Sequence, residues 1–180
     1  MGTGGIGGVH RGFAERPDVS ADLAQLARTP ALVVSSGIKS LLDVPATAEL
    51  LETLGIPLLG YRTDTLPLFY AAAGGPPVSA RVESVGEAAA VARAHWQLGS
   101  AGAVALARPP VPSLDDVEPL IEEALAESVA LGVRGPAITP FVLARLHERS
   151  DGRTLRANRE LIVGNALLAG ELAVALAAAP

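Results

Sequence analysis

Four short apolar runs, at 31–35, 57–61, 78–82 and 103–107, punctuate this chain, and patterns with helical periodicity follow or separate most of them. A run of four or five apolar residues bounded by Gly or Pro reads as a strand buried on both faces. Helical stretches are expected over 20–28, 46–54, 84–98 and 115–131. Ser84 with Glu87 three residues on has the form of a capping box. The last third is helical in pattern throughout, over 139–148 and 154–178. Strands alternating with helices specify an α/β fold, a mostly parallel sheet with helices on both faces. No linker composition divides the 180 residues, so one domain spanning 1–180 is expected. The loop 71–77, Ala-Ala-Ala-Gly-Gly-Pro-Pro, is the best candidate for a mobile flap.

Composition removes several function classes. Cysteine is absent, which excludes disulfide frameworks, zinc–thiolate sites and thiol catalysis. Aromatic residues are only 3% and the net charge is −5, so neither a stacking platform nor a polyanion-binding surface is present. The apolar tail beginning at Leu161 is interrupted by Asn165 and Glu171, and a buried amphipathic helix is the better reading than a membrane span. The N-terminus lacks an apolar targeting region, and a cytoplasmic location is expected. Of the 14 basic residues a single one, Lys39, is lysine.

Four segments carry possible chemistry. Gly2, Gly4 and Gly7 satisfy G-x-G-x-x-G, but a dinucleotide site needs a strand before the glycines, and Met1 leaves no room for one. The alternatives are an unstructured terminus or a backbone that approaches an anionic ligand closely. Asp18-Val-Ser-Ala-Asp22 precedes a helical run. Ser20 or Asp18 is suited to an N-cap, and equally Asp18 is suited to an oxygen site for Mg²⁺ or Mn²⁺ with Ser20 on a phosphate or hydroxyl. Lys39 follows the first strand through a Gly37 turn, at the carboxyl end where open α/β sheets bind ligands. There it can point to solvent, bind phosphate, or act as an amine nucleophile on a carbonyl. Asn158 and Asn165 share one helical face, and an Asn on an apolar stripe needs a partner in the core or on a ligand.

Taken together, these segments resemble a known family. Thr3-Gly-Gly-Ile-Gly-Gly-Val-His-Arg-Gly12, Asp18-Val-Ser-Ala-Asp-Leu23, Leu26-Ala-Arg-Thr-Pro30 and Gly37-x-Lys39-Ser-x-x-Asp43 occur in order. Leu51-Glu-Thr-x-Gly-x-Pro57, Gly60-Tyr61, Thr139-Pro-Phe141 and Asn165-Ala166 continue the match. The chain is similar to the pseudouridine-5′-phosphate glycosidases, the indigoidine-synthase-A-like family. The resemblance implies a three-layer α/β/α sandwich, usually a homotrimer, that reversibly cleaves the C–C glycosidic bond of pseudouridine 5′-phosphate to uracil and ribose 5-phosphate. It implies that Lys39 forms the Schiff base at C1 and that Asp18 holds Mn²⁺ or another divalent cation such as Mg²⁺. It places Ser20, Ala21 and Asp22 on the substrate and Asn165 at the nucleobase end. A lysine nitrogen at C1 suits this reaction, because a C–C glycosidic bond has no leaving heteroatom to protonate, and the nitrogen helps expel the uracil carbon once that carbon is protonated, leaving an imine.

The resemblance also implies an N-terminal truncation. Family members begin upstream of the glycine-rich motif, and that part carries a proton-donor Glu and a phosphate-binding Lys. Gly164 stands where the family often has a second Asn, and Ile38 replaces a small residue. The competing expectation is therefore a non-catalytic sugar-phosphate-binding or assembly subunit of the same fold.

Overall fold

The computed structural model describes residues 1–15 and 17–178. Four strands, β1 (Leu32–Ser35), β2 (Leu58–Tyr61), β3 (Ala80–Val82) and β4 (Val104–Ala107), form a parallel sheet in the order β1-β4-β2-β3. Val33 pairs with Ala105 across β1 and β4, and Leu59 with Leu106 across β2 and β4. β1 and β4 are buried along their whole length, which explains their unbroken apolar runs. Each falls within its expected segment.

Six helices cover the sheet: α1 (Ala21–Leu26), α2 (Val44–Thr53), α3 (Val85–Gln97), α4 (Glu118–Ala130), α5 (Ile138–Arg149) and α6 (Arg153–Ala177). Strand side chains alternate between two cores. Val33, Leu58 and Ala105 pack with Leu23, Leu51, Ile121, Val142 and Leu146 from α1, α2, α4 and α5. Leu32, Val34, Val104 and Leu106 face Ala88 and Ala92 of α3 and Leu168 and Leu172 of α6. This is the three-layer α/β/α arrangement. α6 serves both layers, since its Ala157 and Leu161 belong to the first core and its Leu168 and Leu172 to the second. It is long and apolar enough to cross a bilayer, yet its inner face is buried on the sheet and on α3, as the sequence indicates.

Local signals set the helix starts. Asp43 accepts from Ala46 N at 3.0 Å to open α2, and Ser84 accepts from Glu87 N at 3.2 Å to open α3. The Glu87 carboxylate accepts from Glu83 N at 2.6 Å, so the box closes one residue earlier than the standard pattern. The segment 71–77 is less free than its composition suggests. Leu66 N donates to Pro76 O at 2.8 Å and Ala72 N to Ser113 Oγ at 3.0 Å, which pins both the base and one side of the loop.

The N-terminal glycine segment is neither unstructured nor a dinucleotide loop. Val34 N donates to Met1 O, Thr3 N to Val34 O, Ser36 N to Gly4 O and Ile6 N to Gly37 O, at 2.8–3.1 Å. Residues 1–6 therefore run parallel to β1 and its following turn, with bridges at Gly2–Val34 and Ile6–Ile38. A glycine-rich stretch has little strand propensity, so this pairing was invisible in the pattern. The glycines are needed for packing. A Cβ at Gly5 would meet the Phe69 ring, one at Gly7 the Ser20 side chain, and one at Gly8 the Thr47 side chain.

Ser84→Ala is expected to cost about 1 kcal/mol through the lost cap, and Leu161→Ala about 2–5 kcal/mol through a core cavity. Gly8→Ala should exceed Ser84→Ala, because Thr47 is fully buried and cannot retreat. Urea unfolding followed by circular dichroism gives all three.

Candidate active site

At the carboxyl end of β1 the chain turns through Ser36 and Gly37 and delivers Lys39. Gly37 has φ +86, and a Cβ there would collide with Pro67 O. Ile38 is fully buried and anchors the turn, and Lys39 N donates to Ile6 O at 3.2 Å. The half-buried Lys39 lines a cavity of about 220 Å³ whose walls include Thr3, Gly4, Gly5, Phe69, Tyr70 and Asn158. Among the described residues no carboxylate forms an ion pair with Lys39. An amine at the mouth of a small cavity, walled by glycine backbone and free of a salt bridge, is placed to meet a carbonyl.

The loop between β2 and β3 supplies the opposite wall. Phe69 has φ +64, a strained conformation for a bulky residue. It is held there by its N–H to Ser36 O at 3.0 Å and by an edge-on contact with Tyr70 at 4.6 Å between ring centroids. The Tyr70 hydroxyl is buried without a full hydrogen bond. Burial pushes its pKa up to about 12, with Thr154 nearby offsetting part of the effect.

Asp18, Ser20, Ala21 and Asp22 lie further along the same glycine segment. Ser20 caps α1 by accepting from Asp22 N, and its own N–H donates to Gly8 O at 2.9 Å. Asp22 Oδ2 accepts from Gly7 N at 2.8 Å. Ala21 begins α1 and is exposed. Asp18 lies 3.9 Å from His10 Nε2 and, with Arg11 and Glu122, borders a separate cleft of about 750 Å³. None of these four residues lines the Lys39 cavity. Among the described residues no three His, Asp or Glu side chains cluster as a metal site. Asp18 offers one carboxylate, 40% exposed, which fits a Mn²⁺ or Mg²⁺ ion that keeps most of its water shell.

The two asparagines of α6 divide their roles. Asn165 is fully buried; its Nδ2 donates to Thr3 O at 2.8 Å and Ser36 Oγ at 3.1 Å. It ties α6 to the N-terminal segment, and its Oδ1 has no partner among the described residues. Asn158, seven residues earlier, faces the Lys39 cavity. The shared helical face indicated both, but only the tertiary packing shows which one lines the cavity with Lys39. Phe69 and Tyr70 carried no sequence signal, because they sit on an irregular loop.

A model of the indigoidine synthase A-like proteins matches residues 1–175. The chain belongs to this family. It is 47% identical to the pseudouridine-5′-phosphate glycosidase of Myxococcus xanthus, covering 98% of this chain and 60% of that one. It is 46% identical to the enzyme of the same name from Caldanaerobacter subterraneus, over 97% of this chain and 58% of the relative. Among family structures, a prealnumycin C-glycosynthase in complex with ribulose 5-phosphate superposes with a TM-score of 0.89 at 42% identity, over 97% of this chain and 59% of that one. An indigoidine synthase A-like protein from Thermotoga maritima gives 0.87 at 43% identity, over 97% and 58%. The chain thus spans about three-fifths of the length of these family members.

Asn165→Ala is expected to cost about 1–3 kcal/mol and to speed amide exchange at Thr3–Ile6. The unfolded chain releases the Tyr70 proton near 10.0, whereas the folded chain holds it up to about 12. The folded state therefore binds more protons in that window, and stability falls as pH rises from about 10 to about 12. Tyr70→Phe should remove this component in urea titrations across that range.

Proposed function

We propose that this chain carries the lysine-bearing part of a pseudouridine-5′-phosphate glycosidase, which reversibly cleaves the C–C bond between uracil and ribose 5-phosphate. The observation that carries this reading is Lys39 itself, without an ion pair among the described residues and in a cavity walled by Gly4, Gly5 and Asn158. Curated relatives bearing that name, at 46–47% identity, support the substrate class. The structural relative with bound ribulose 5-phosphate supports a sugar-phosphate ligand.

In this reading the Lys39 amine bonds to C1 as the C1–O bond of the ribose ring breaks and the ring oxygen takes a proton. The uracil carbon is then protonated, the C–C bond breaks with its electron pair kept by uracil, and the nitrogen lone pair forms the imine at C1. Water then hydrolyses the imine and frees ribose 5-phosphate. Asn158 and the backbone of Gly4 and Gly5 hold the sugar hydroxyls. Phe69 and Tyr70 keep the cavity narrow and exclude water from the amine. No carboxylate among the described residues lines this cavity, and none of them is assigned the proton for the base. Asp18 would hold Mn²⁺ or Mg²⁺, which when bound supplies positive charge toward the phosphate. The reading extends to a cytoplasmic homotrimer.

A second reading, a sugar-phosphate-binding unit without turnover, is favoured by the placing of Asp18 in a cleft apart from the Lys39 cavity. Borohydride trapping separates the two. Incubation with ribose 5-phosphate and borohydride should yield a stable adduct on the Lys39 peptide by mass spectrometry, absent in Lys39→Ala and Lys39→Arg. Binding of ribose 5-phosphate with no adduct on Lys39 would leave only the second reading.

A further inference from the structure

The Lys39 cavity shares a wall with a second, larger space. Across that wall lies a cleft of about 1150 Å³, bordered by Arg11, Asp43, Leu68, Ala73 and Ser113. Among the described residues, only Ser40 and Tyr70 line both spaces. A serine side chain is short, so the Tyr70 ring is the partition. On the Lys39 side the volume is about 220 Å³, below the roughly 300–1,000 Å³ of pockets that take drug-sized ligands. On the other side there is room for an aromatic ring system.

Tyr70 is fixed at this partition from several directions. Its N–H donates to Leu68 O at 2.7 Å, and its C=O accepts from Leu114 N at 2.8 Å. The ring stands edge-on to Phe69 with centroids 4.6 Å apart, and Phe69 is itself pinned by its N–H on Ser36 O. The Tyr70 hydroxyl reaches toward Thr154 in the first turn of α6, so the side chain spans the gap from the β2–β3 loop to that helix. Only 2% of the residue is exposed. A close-packed ring held at both ends does not swing aside to admit a broader ligand.

We propose that Tyr70 sets the size of the carbonyl compound that Lys39 accepts, by walling the Lys39 cavity off from the larger cleft. With the ring in place, a narrow open-chain sugar reaches the amine and a broad aromatic aldehyde does not. Without the ring the two spaces join, and the broader class is admitted. The inference deepens the proposed function and rests on it only for the reactivity of the Lys39 amine.

Lys39 is the one lysine of the sequence, so reductive trapping on the 180-residue chain reports on a single side chain, with the Met1 α-amine as internal reference. Amine and aldehyde condense with loss of water, and borohydride delivers hydride to the imine carbon, leaving a secondary amine that mass spectrometry locates. The two probes are ribose 5-phosphate and naphthaldehyde. In the unaltered chain ribose 5-phosphate should label Lys39, and naphthaldehyde should label Met1 in preference to Lys39. Tyr70→Ala and the bulkier Tyr70→Leu, each checked for native circular dichroism, should raise naphthaldehyde labelling of Lys39 relative to Met1 roughly tenfold or more. Tyr70→Phe keeps the ring and should retain the selectivity of the unaltered chain. Ala73 is exposed on the rim of the cleft, and Ala73→Trp combined with Tyr70→Ala should reverse the gain by refilling the space. In an unfolded chain that second substitution would change nothing, so the reversal separates an opened partition from a lost fold. Ready naphthaldehyde labelling of Lys39 in the unaltered chain overturns the inference. So does labelling that both Tyr70 truncations leave unchanged, or a gain that Ala73→Trp does not reverse, even where ribose 5-phosphate labels Lys39. Absence of any Lys39 adduct with either probe in every variant overturns the proposed function along with it.

Discussion

Residues 1–6 lie along β1 and its following turn, hydrogen-bonded from Met1 O at one end to Ile6 O at the other. Nearly every feature of the site leans on this backbone pairing. It places Gly4 and Gly5 against Phe69, Gly7 against Ser20 and Asp22, and Gly8 against Thr47. A Cβ at Gly5, Gly7 or Gly8 would come closer to these neighbours than real side chains do, whereas one at Gly4 would sit 3.3 Å from the Phe69 ring. The strand-like path also brings Thr3 to Asn165, so that α6 is fixed to the sheet edge through one buried amide. Without the pairing, Lys39 would lose one wall of its cavity and the support of its own N–H on Ile6 O.

The pairing also explains how one segment serves two chemically different regions. At its start the glycine backbone lines the Lys39 cavity; towards its end, His10 meets Asp18 in a separate cleft. Lys39 and Asp18 are thereby tied by backbone hydrogen bonds to one segment without lining a common cavity. Strain is concentrated on the facing wall, where Phe69 adopts a left-handed conformation that its contacts with Gly5, Ser36 and Tyr70 maintain. Strain of this kind accumulates where surrounding structure over-determines a loop, as functional cavities require.

Much of the fold was legible in the chain. Buried parallel strands such as β1 and β4 need apolar residues on both faces, so their positions appear directly as short apolar runs. Ser84 and Asp43 mark helix starts because a helix leaves N–H groups that only nearby side chains can satisfy. The hydrogen bonds that tether 71–77 are hidden from the sequence for the opposite reason. The small residues of that segment give no sign of hydrogen bonds to Leu66 and to Ser113, which lies far away in sequence. For the site, Lys39 was visible as a lone lysine after a strand and a Gly turn. Phe69 and Tyr70 were not, since a loop conformation is set by its distant contacts.

By itself the sequence determined the layers, the parallel sheet, the family and the lysine, because each is written in local periodicity or in a contiguous motif. Only the tertiary structure decided that the glycines pair alongside β1, that Asn158 rather than Asn165 lines the cavity with Lys39, and that Asp18 lies in a separate cleft. It also decided which side of α6 is covered. Those outcomes depend on contacts between residues far apart in the chain, such as Thr3 with Asn165, and no local pattern encodes a distance of that kind.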